Sequence, residues 1–261
     1  MQDRADLANA PMLFLHGAFG GPEIWRHLAP WFAARRRRVL TPDLSAGPDG
    51  PRRLRDYVRA AERAADALGG APIVVGHSLG GLVAQHLAAR RRLPGVALIA
   101  SPGPMGVAPS YWRLTTQHPT VFAMLVLTQL GGGRLLGVNA IRRAMFADNA
   151  PDDWIARNAP APRPESPLAL LDAMTWDIPN WMAIRGTPTL AILGDSDAFI
   201  PASDLVMLRF LYDAKVERID GMGHGAPIDP HWKRVAWRIE DWLGGLGRAG
   251  PASARGEALD A

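Results

Sequence analysis

The stretch that decides the fold is PIVVGHSLGGLVAQHLAARRR, residues 72–92, which begins as an apolar, β-branched run and ends in a helical pattern. Between the two lies the pattern G-x-S-x-G, with Ser78 flanked by Gly76 and Gly80. A sharp strand-to-helix turn needs this spacing, because its apex is forced toward φ > 0 and bulky neighbours two positions away would collide. Serines between glycines are also common in ordinary turns. Here the strand before the turn and the helix after it favour a serine nucleophile, exposed beside the free N–H groups of a helix start.

Short β-type runs alternate with helical patterns along most of the 261-residue chain. Such alternation predicts an α/β fold with a mostly parallel sheet of six strands and helices on both of its faces. The predicted strands are 12–15, 39–41, 73–75, 96–100, 189–193 and 215–219. The predicted helices around them are 25–35, 54–68, 80–91, 202–212 and 231–243.

One long segment, residues 104–186, interrupts this alternation and contains no strand-like pattern. It is predicted to form helices, separated by Gly and Pro breaks, at 110–130, 139–146, 152–158 and 166–176. An insertion at this point would lie over the carboxyl ends of the strands, where ligands bind in such sheets. We therefore predict a helical cap (104–186) on a core formed by residues 1–103 and 187–245. Residues 246–261 lack periodicity and are expected to be a disordered tail.

The apolar character of this cap predicts a hydrophobic pocket between cap and core. Trp112 in the cap and Phe19 in the core are the candidate substrate-binding residues. Packing within the cap is the alternative role for Trp112.

Composition excludes several classes of function. The chain has no cysteine, so disulfides, thiolate catalysis and cysteine-based metal sites are excluded. Its net charge is +4, and its basic residues include arginine runs at 35–38 and 90–92, which follow helical patterns and complement helix dipoles there. No aromatic-interleaved basic surface accompanies them, which disfavours a nucleic-acid partner. No apolar stretch approaches the length of a membrane span, and a cytoplasmic protein is expected.

A serine nucleophile needs a base and an acid that orients the base. His224, in the loop GMGHGAP after the last predicted strand, is the histidine best placed to reach the strand ends. The segment LGDSDAFIP after the fifth strand offers two carboxylates, Asp195 and Asp197. Spacing favours Asp197 as the orienting acid, and Asp195 remains the alternative or caps the loop.

Acyl transfer also needs backbone donors for a developing oxyanion. The N–H of Leu79, at the helix start after the nucleophile, is one candidate. The second is expected in the loop LFLHGAFGGPEIW (13–25), whose glycines allow close approach of the backbone to a ligand. Ala18 N–H is preferred there, with Phe19 N–H as the alternative.

The order Ser78, Asp197, His224, the HG loop and GHSLGG after a strand together resemble the α/β-hydrolase superfamily over residues 11–243. The chain is most similar to its single-domain carboxylesterases and lipases with helical caps. The resemblance implies a cofactor-free and metal-free acyl hydrolase, with Ser78, His224 and Asp197 as the triad and the Ala18 and Leu79 amides as the oxyanion hole. The expected substrates are small-molecule carboxylic esters with short- to medium-chain acyl or aryl groups, cleaved through an acyl-enzyme. A thioesterase, a lactonase, a C–C bond hydrolase and a slow-turnover ligand-binding protein remain alternatives, because the same groups would serve each of them.

Two features depart from the family pattern. About ten residues precede the first strand, where family members usually have a β-hairpin, so six strands are expected in place of eight. The exposed edge of such a sheet must be blunted or buried in a homodimer. The loop TPDLSAGPDG (41–50) also lacks the arginine and histidine that are common there in the family, which leaves the substrate class open.

Overall fold

A computed structural model describes residues 10–45 and 52–248 of the chain. Six strands form one sheet in the order β2-β1-β3-β4-β5-β6. The strands are β1 (Met12–Leu15), β2 (Val39–Leu40), β3 (Ile73–His77), β4 (Val96–Ile99), β5 (Thr189–Gly194) and β6 (Lys215–Ile219). All neighbouring pairs are parallel, which confirms the predicted α/β fold with its six-stranded sheet.

Burial along the sheet explains its strand sequences. Every residue of the four central strands β1, β3, β4 and β5 is buried. Helices cover both faces, so these strands are continuously apolar rather than alternating. The edge strand β2 is only two residues long, and a short edge offers little backbone for pairing with another sheet.

Five helices pack on the sheet and belong to the core. They are α1 (Leu28–Ala33), α2 (Leu54–Ala67), α3 (Leu79–Arg90), α10 (Ala202–Tyr212) and α11 (Lys233–Arg248). The arginine run that ends α3 lies against α2, where Arg90 Nη1 is 3.3 Å from Glu62 and Arg91 Nη2 is 2.6 Å from Asp66. None of the helices in the described ranges is long and apolar enough to cross a membrane.

The insertion between β4 and β5 is helical, as its sequence predicts. Its helices are α4 (Ala108–Gln117), α5 (Pro119–Gln129), α6 (Val138–Met145), α7 (Asp152–Asn158), α8 (Pro167–Leu171) and α9 (Trp181–Ile184). The single helix predicted at 110–130 is wrong, because the chain breaks at His118 between α4 and α5. Pro119 disfavours a helical conformation of the residue before it, and His118 adopts φ −130° and ψ 52°.

The carboxyl-terminal boundary also differs from the prediction. Helix α11 continues to Arg248, past the expected helix end at 243 and into the segment assigned to a tail from 246. Leu246 still packs against the core, which accounts for the longer helix in spite of its glycines. The remaining tail residues, the amino-terminal segment where family members have a hairpin, and residues 46–51 lie outside the described residues.

Candidate active site

Ser78 forms the predicted turn between β3 and α3, with φ 52° and ψ −126°. The two glycines around it are required by close packing. A Cβ at Gly76 would lie 2.5 Å from the carbonyl oxygen of Gly80, and a Cβ at Gly80 would overlap the carbonyls of Leu15 and His16. Any side chain at either position would therefore displace the turn and move the hydroxyl.

His224 lies on the loop after β6 and contacts the two other predicted residues. Its Nε2 is 3.0 Å from Ser78 Oγ, and its Nδ1 is 2.9 Å from Asp197 Oδ2. Asp197 is 3% exposed and its other oxygen accepts the backbone N–H groups of Phe199, at 2.7 Å, and Ile200, at 2.9 Å. With an acceptor at Nδ1, the imidazole proton is assigned there, and Nε2 is left to accept the Ser78 proton. The arrangement has the parts that activate a serine for acyl transfer.

Asp195, the alternative acid, makes its hydrogen bonds to residues other than His224. Its Oδ1 accepts the Gly221 N–H at 2.8 Å and the Ser196 hydroxyl at 2.9 Å. It therefore fixes the turn after β6 at the surface, while Asp197 faces His224.

Two further side chains hold His224 in place, one through a hydrogen bond and the other through ring stacking. His77 Nε2 lies 2.9 Å from the His224 carbonyl oxygen. Burial, and next the neighbouring His224, lower the pKa of His77 to about 3, so His77 is neutral and donates this hydrogen bond. The Phe199 ring stacks on His224 with centroids 4.4 Å apart. The sequence offered no signal for Phe199 beyond its position two residues after Asp197.

The loop after β1 approaches Ser78 closely. A Cβ at Gly17 would lie 2.8 Å from Ser78 Cβ, so only glycine fits there. His16 fixes this loop, because its Nδ1 is 2.8 Å from the Gly17 carbonyl oxygen and its Nε2 accepts the Leu44 N–H at 2.8 Å. The loop is thereby held beside the nucleophile.

The candidate oxyanion donors differ in what they already bind. Leu79 is the first residue of α3, and its N–H has no acceptor within the helix. Phe19 N–H donates to Glu165 Oε2 at 3.3 Å, so this alternative donor is engaged. Ala18 and Phe19 both line the cavity beside Ser78, so the engagement of the Phe19 N–H by Glu165 is what favours Ala18 N–H as the second donor.

These residues lie at one side of a cavity of about 150 Å³. Phe19 lines it, as predicted. The insertion forms the opposite side. Trp112 was the one residue of the insertion that the sequence analysis assigned to this cavity. The lining residues from α4, α5 and α6 are Ser110, Tyr111, Leu114, Val121, Met124, Leu125, Thr128, Ile141, Ala144 and Met145.

Trp112 does not line the cavity, and its assignment as a substrate-binding residue is wrong. Its side chain is 72% exposed. One residue advances a helix by about 100°, so with Tyr111 and Leu114 facing inward, Trp112 faces solvent. The sequence places apolar residues on several sides of α4 and so does not identify the inward face.

The polar atoms on the insertion side of the cavity are few. Burial, and next the charge of Glu165, raise the pKa of Tyr111, which keeps this phenol neutral. Thr128 Oγ1 donates to the Met124 carbonyl at 2.9 Å. Ser110 Oγ is buried and has no hydrogen-bond partner among the described residues. The insertion therefore presents a largely apolar surface to a ligand.

Comparisons with known proteins agree with this geometry. A model of the alpha/beta hydrolase family matches residues 12–238. The pimeloyl-[acyl-carrier protein] methyl ester esterase of Aromatoleum aromaticum is 29% identical over 260 residues, covering 90% of this chain and 98% of that protein.

Solved structures show the same fold at lower identity. A thermophilic esterase from Thermogutta terrifontis has a TM-score of 0.70 at 21% identity and covers 92% of this chain and 91% of that one. A structure from work on carboxylesterases of Nitrososphaera gargenis also has a TM-score of 0.70, at 16% identity and 93% coverage of each chain.

Proposed function

The chain belongs to the alpha/beta hydrolase family, and on that basis we propose that it is an esterase with Ser78, His224 and Asp197 as its catalytic triad. The observation that carries the proposal is the placement of His224, with one ring nitrogen 3.0 Å from the Ser78 hydroxyl and the other 2.9 Å from Asp197. Burial of His224 and Asp197 shields the hydrogen bond between them from solvent.

The proposed reaction begins when Ser78 Oγ attacks the ester carbonyl and His224 Nε2 takes its proton. The Ala18 and Leu79 N–H groups stabilise the oxyanion of the tetrahedral intermediate. Collapse breaks the bond to the alkoxy oxygen, which leaves as the alcohol with the proton from His224. Water, deprotonated by His224, then attacks the acyl-Ser78 ester. As the tetrahedral intermediate collapses, His224 returns the proton to Ser78 Oγ and the carboxylic acid is released.

We propose uncharged esters with short- to medium-chain acyl or aryl groups as the substrate class. The apolar lining of the cavity by the insertion supports this, because a charged group there would lose its hydration without gaining a partner. The relative from Aromatoleum aromaticum is named for a methyl ester, which supports an ester over the thioester, lactone and C–C alternatives.

The test is hydrolysis of p-nitrophenyl esters from acetate to palmitate by the wild type and by Ser78→Ala. We expect turnover with an optimum at short or medium chains, and a fall of at least about 10³-fold in kcat for the variant. Intact-mass measurement after rapid quenching should show an acyl adduct on the wild type alone.

Separate outcomes distinguish the alternatives. Labelling of Ser78 by a fluorophosphonate without turnover of any ester would retain the nucleophile and overturn the esterase. Thioesters, lactones and vinylogous diketones would then be assayed, and stoichiometric acylation without release would support the slow-turnover ligand-binding protein. Equal ester turnover by wild type and Ser78→Ala would overturn the proposed mechanism.

A further inference from the structure

The loop that carries the proposed Ala18 donor contains a residue in an uncommon backbone conformation. Phe19 has φ 60°, a left-handed value that residues other than glycine rarely adopt. Its neighbours Gly20 and Gly21 add backbone freedom rather than restraint. Contacts from outside the loop must therefore hold Phe19, and with it the backbone of the neighbouring Ala18.

The restraint comes from the insertion, at residues 163–165, here called the latch segment. The Arg163 N–H donates to the Phe19 carbonyl at 3.0 Å, and the Phe19 N–H donates to Glu165 Oε2 at 3.3 Å. Arg163 Nε also donates to the Gly20 carbonyl at 2.9 Å. Both backbone polar groups of the strained residue are thus bound by the latch segment.

Glu165 is itself fixed from the core. It is 5% exposed, and its Oε1 accepts the Tyr57 hydroxyl from α2 and the Ser166 N–H, the latter at 2.8 Å. Gln129 holds the backbone of Glu165, with its amide oxygen 3.1 Å from the Glu165 N–H. A buried carboxylate with this many donors keeps one orientation, and so does the Phe19 N–H that it binds.

Arg163 is fixed in the same way on the other side of the loop. Its Nη2 lies 3.1 Å from Asp43 Oδ2 and 3.1 Å from Ser45 Oγ. Burial opposes ionisation of Asp43, but hydrogen bonds from Ser45 and the charge of Arg163 outweigh it and lower the Asp43 pKa to about 2. Asp43 therefore stays charged across the working pH range and anchors the guanidinium.

We propose that Arg163 and Glu165 are positioning residues that hold the Phe19 backbone, so that Ala18 N–H stays aimed at the oxyanion. The inference rests on the proposed function. It gives the insertion a part in the chemistry as well as in substrate binding. It also accounts for the engagement of Phe19 N–H, because that N–H serves to orient the loop and leaves Ala18 as the donor.

The experiment measures kcat and KM for a p-nitrophenyl ester with Glu165→Ala, Arg163→Ala and the conservative Glu165→Gln. Misplacement of one oxyanion donor costs on the order of 10²-fold in turnover. We expect a 10- to 100-fold loss of kcat in both alanine variants, with KM within about threefold of wild type. Glu165→Gln keeps an acceptor oxygen for the Phe19 N–H and should recover most of the lost kcat.

A second readout is the affinity for an alkyl boronic acid, which forms a tetrahedral adduct on a serine and places an oxygen in the oxyanion hole. This affinity should fall in parallel with kcat across the variants. Arg157→Ala is the matched control, because the side chain of this exposed insertion arginine pairs with Asp153 and, among the described residues, makes no hydrogen bond to the loop after β1. Its kcat and boronate affinity should equal those of the wild type.

The outcomes separate the two proposals. If the alanine variants lower only the melting temperature while kcat and boronate affinity stay at wild-type values, the latch segment is structural and the inference is overturned. If an alanine variant does not fold, Arg163→Lys carries the same comparison, because it keeps the charge but loses the Nε hydrogen bond to the Gly20 carbonyl. Failure of Ser78→Ala to lose activity would instead overturn the proposed function, whatever the latch variants do.

Discussion

The two sides of the cavity are built on different principles. On the core side, polar groups are placed by backbone geometry, with Ser78 at positive φ and His224 between Ser78 and Asp197. On the insertion side, helices present apolar side chains such as Leu114 and Met124. Under the proposed function, the core side sets the reaction, whereas the insertion side sets the shape and polarity of the substrates that can react.

The difference also sets how each side should respond to substitution. A polar constellation loses its function when one hydrogen bond changes direction, because proton transfer depends on distance and angle. An apolar surface tolerates exchange of one hydrophobic side chain for another and changes mainly in volume. Four experiments test this contrast.

The largest effect is expected from Asp197→Asn. The amide can no longer hold the Nδ1 proton of His224 as a carboxylate does, and the comparable change in other triads costs about 10⁴-fold in kcat. We expect a loss of about 10³- to 10⁴-fold, measured on the best p-nitrophenyl ester. Asp195→Asn is the control and should stay within about threefold of wild type, because Asp195 only fixes the turn after β6. Equal losses in the two variants would contradict the assignment of the acid.

The next effect concerns the insertion side and is a change in selectivity. Met124→Ala enlarges the cavity and should shift the chain-length optimum to longer acyl groups, while Leu125→Phe should shift it to shorter ones. One methylene in a hydrophobic pocket is worth roughly 10-fold or more in discrimination, so the ratio of kcat/KM between neighbouring ester lengths should change by about that factor. Trp112→Ala, on the exposed face of α4, should leave the profile unchanged. A shift as large in Trp112→Ala would restore the original expectation for that residue.

The same contrast explains what could be predicted from the sequence. Ser78, Asp197 and His224 each follow a strand end, and parallel strands bring their carboxyl ends to one edge, so local patterns sufficed to place them together. The inward face of α4 depends on which neighbours it packs against, and periodicity alone did not separate Tyr111 from Trp112.

The latch segment was missed for a related reason. It lies in PAPRPESP (160–167), a composition that indicates only a break between helices. The burial of Glu165 depends on Tyr57, which is 108 residues away along the chain. No local pattern encodes such a contact.

A smaller effect is expected where the insertion leaves the core. Asp204 on α10 accepts the Gly103 N–H at 3.0 Å, directly before the insertion begins. Burial, with a contribution from the charge of Asp197, raises the Asp204 pKa from 3.8 to about 6 against the effect of that hydrogen bond. The folded state therefore binds the proton more tightly than the unfolded state, and stability is lost as the pH rises from about 4 to about 6.

Asp204→Asn cannot ionise and keeps an acceptor for Gly103, so it should remove this loss. The free energy of unfolding of the variant, minus that of the wild type, should be on the order of 2 kcal/mol larger at pH 8 than at pH 4.5. Urea unfolding at the two pH values measures the difference. A constant difference between the proteins at both pH values would mean that Asp204 is ionised without penalty.

The smallest effect tests whether the insertion side is as apolar as the contrast requires. Ser110 Oγ is buried at the cavity without a partner among the described residues, so Ser110→Ala should remove a desolvated hydroxyl and stabilise the protein by up to about 1 kcal/mol. Thr128→Val is the matched change on α5, where the hydroxyl has a partner, and it should destabilise the protein by about 1 kcal/mol. Thermal unfolding distinguishes the two signs. If Ser110→Ala also destabilises, that hydroxyl has a partner in solution, such as an ordered water. The insertion side would then offer a substrate a hydrogen bond as well as a shape, and esters with an oxygen in the acyl chain would be the substrates to assay next.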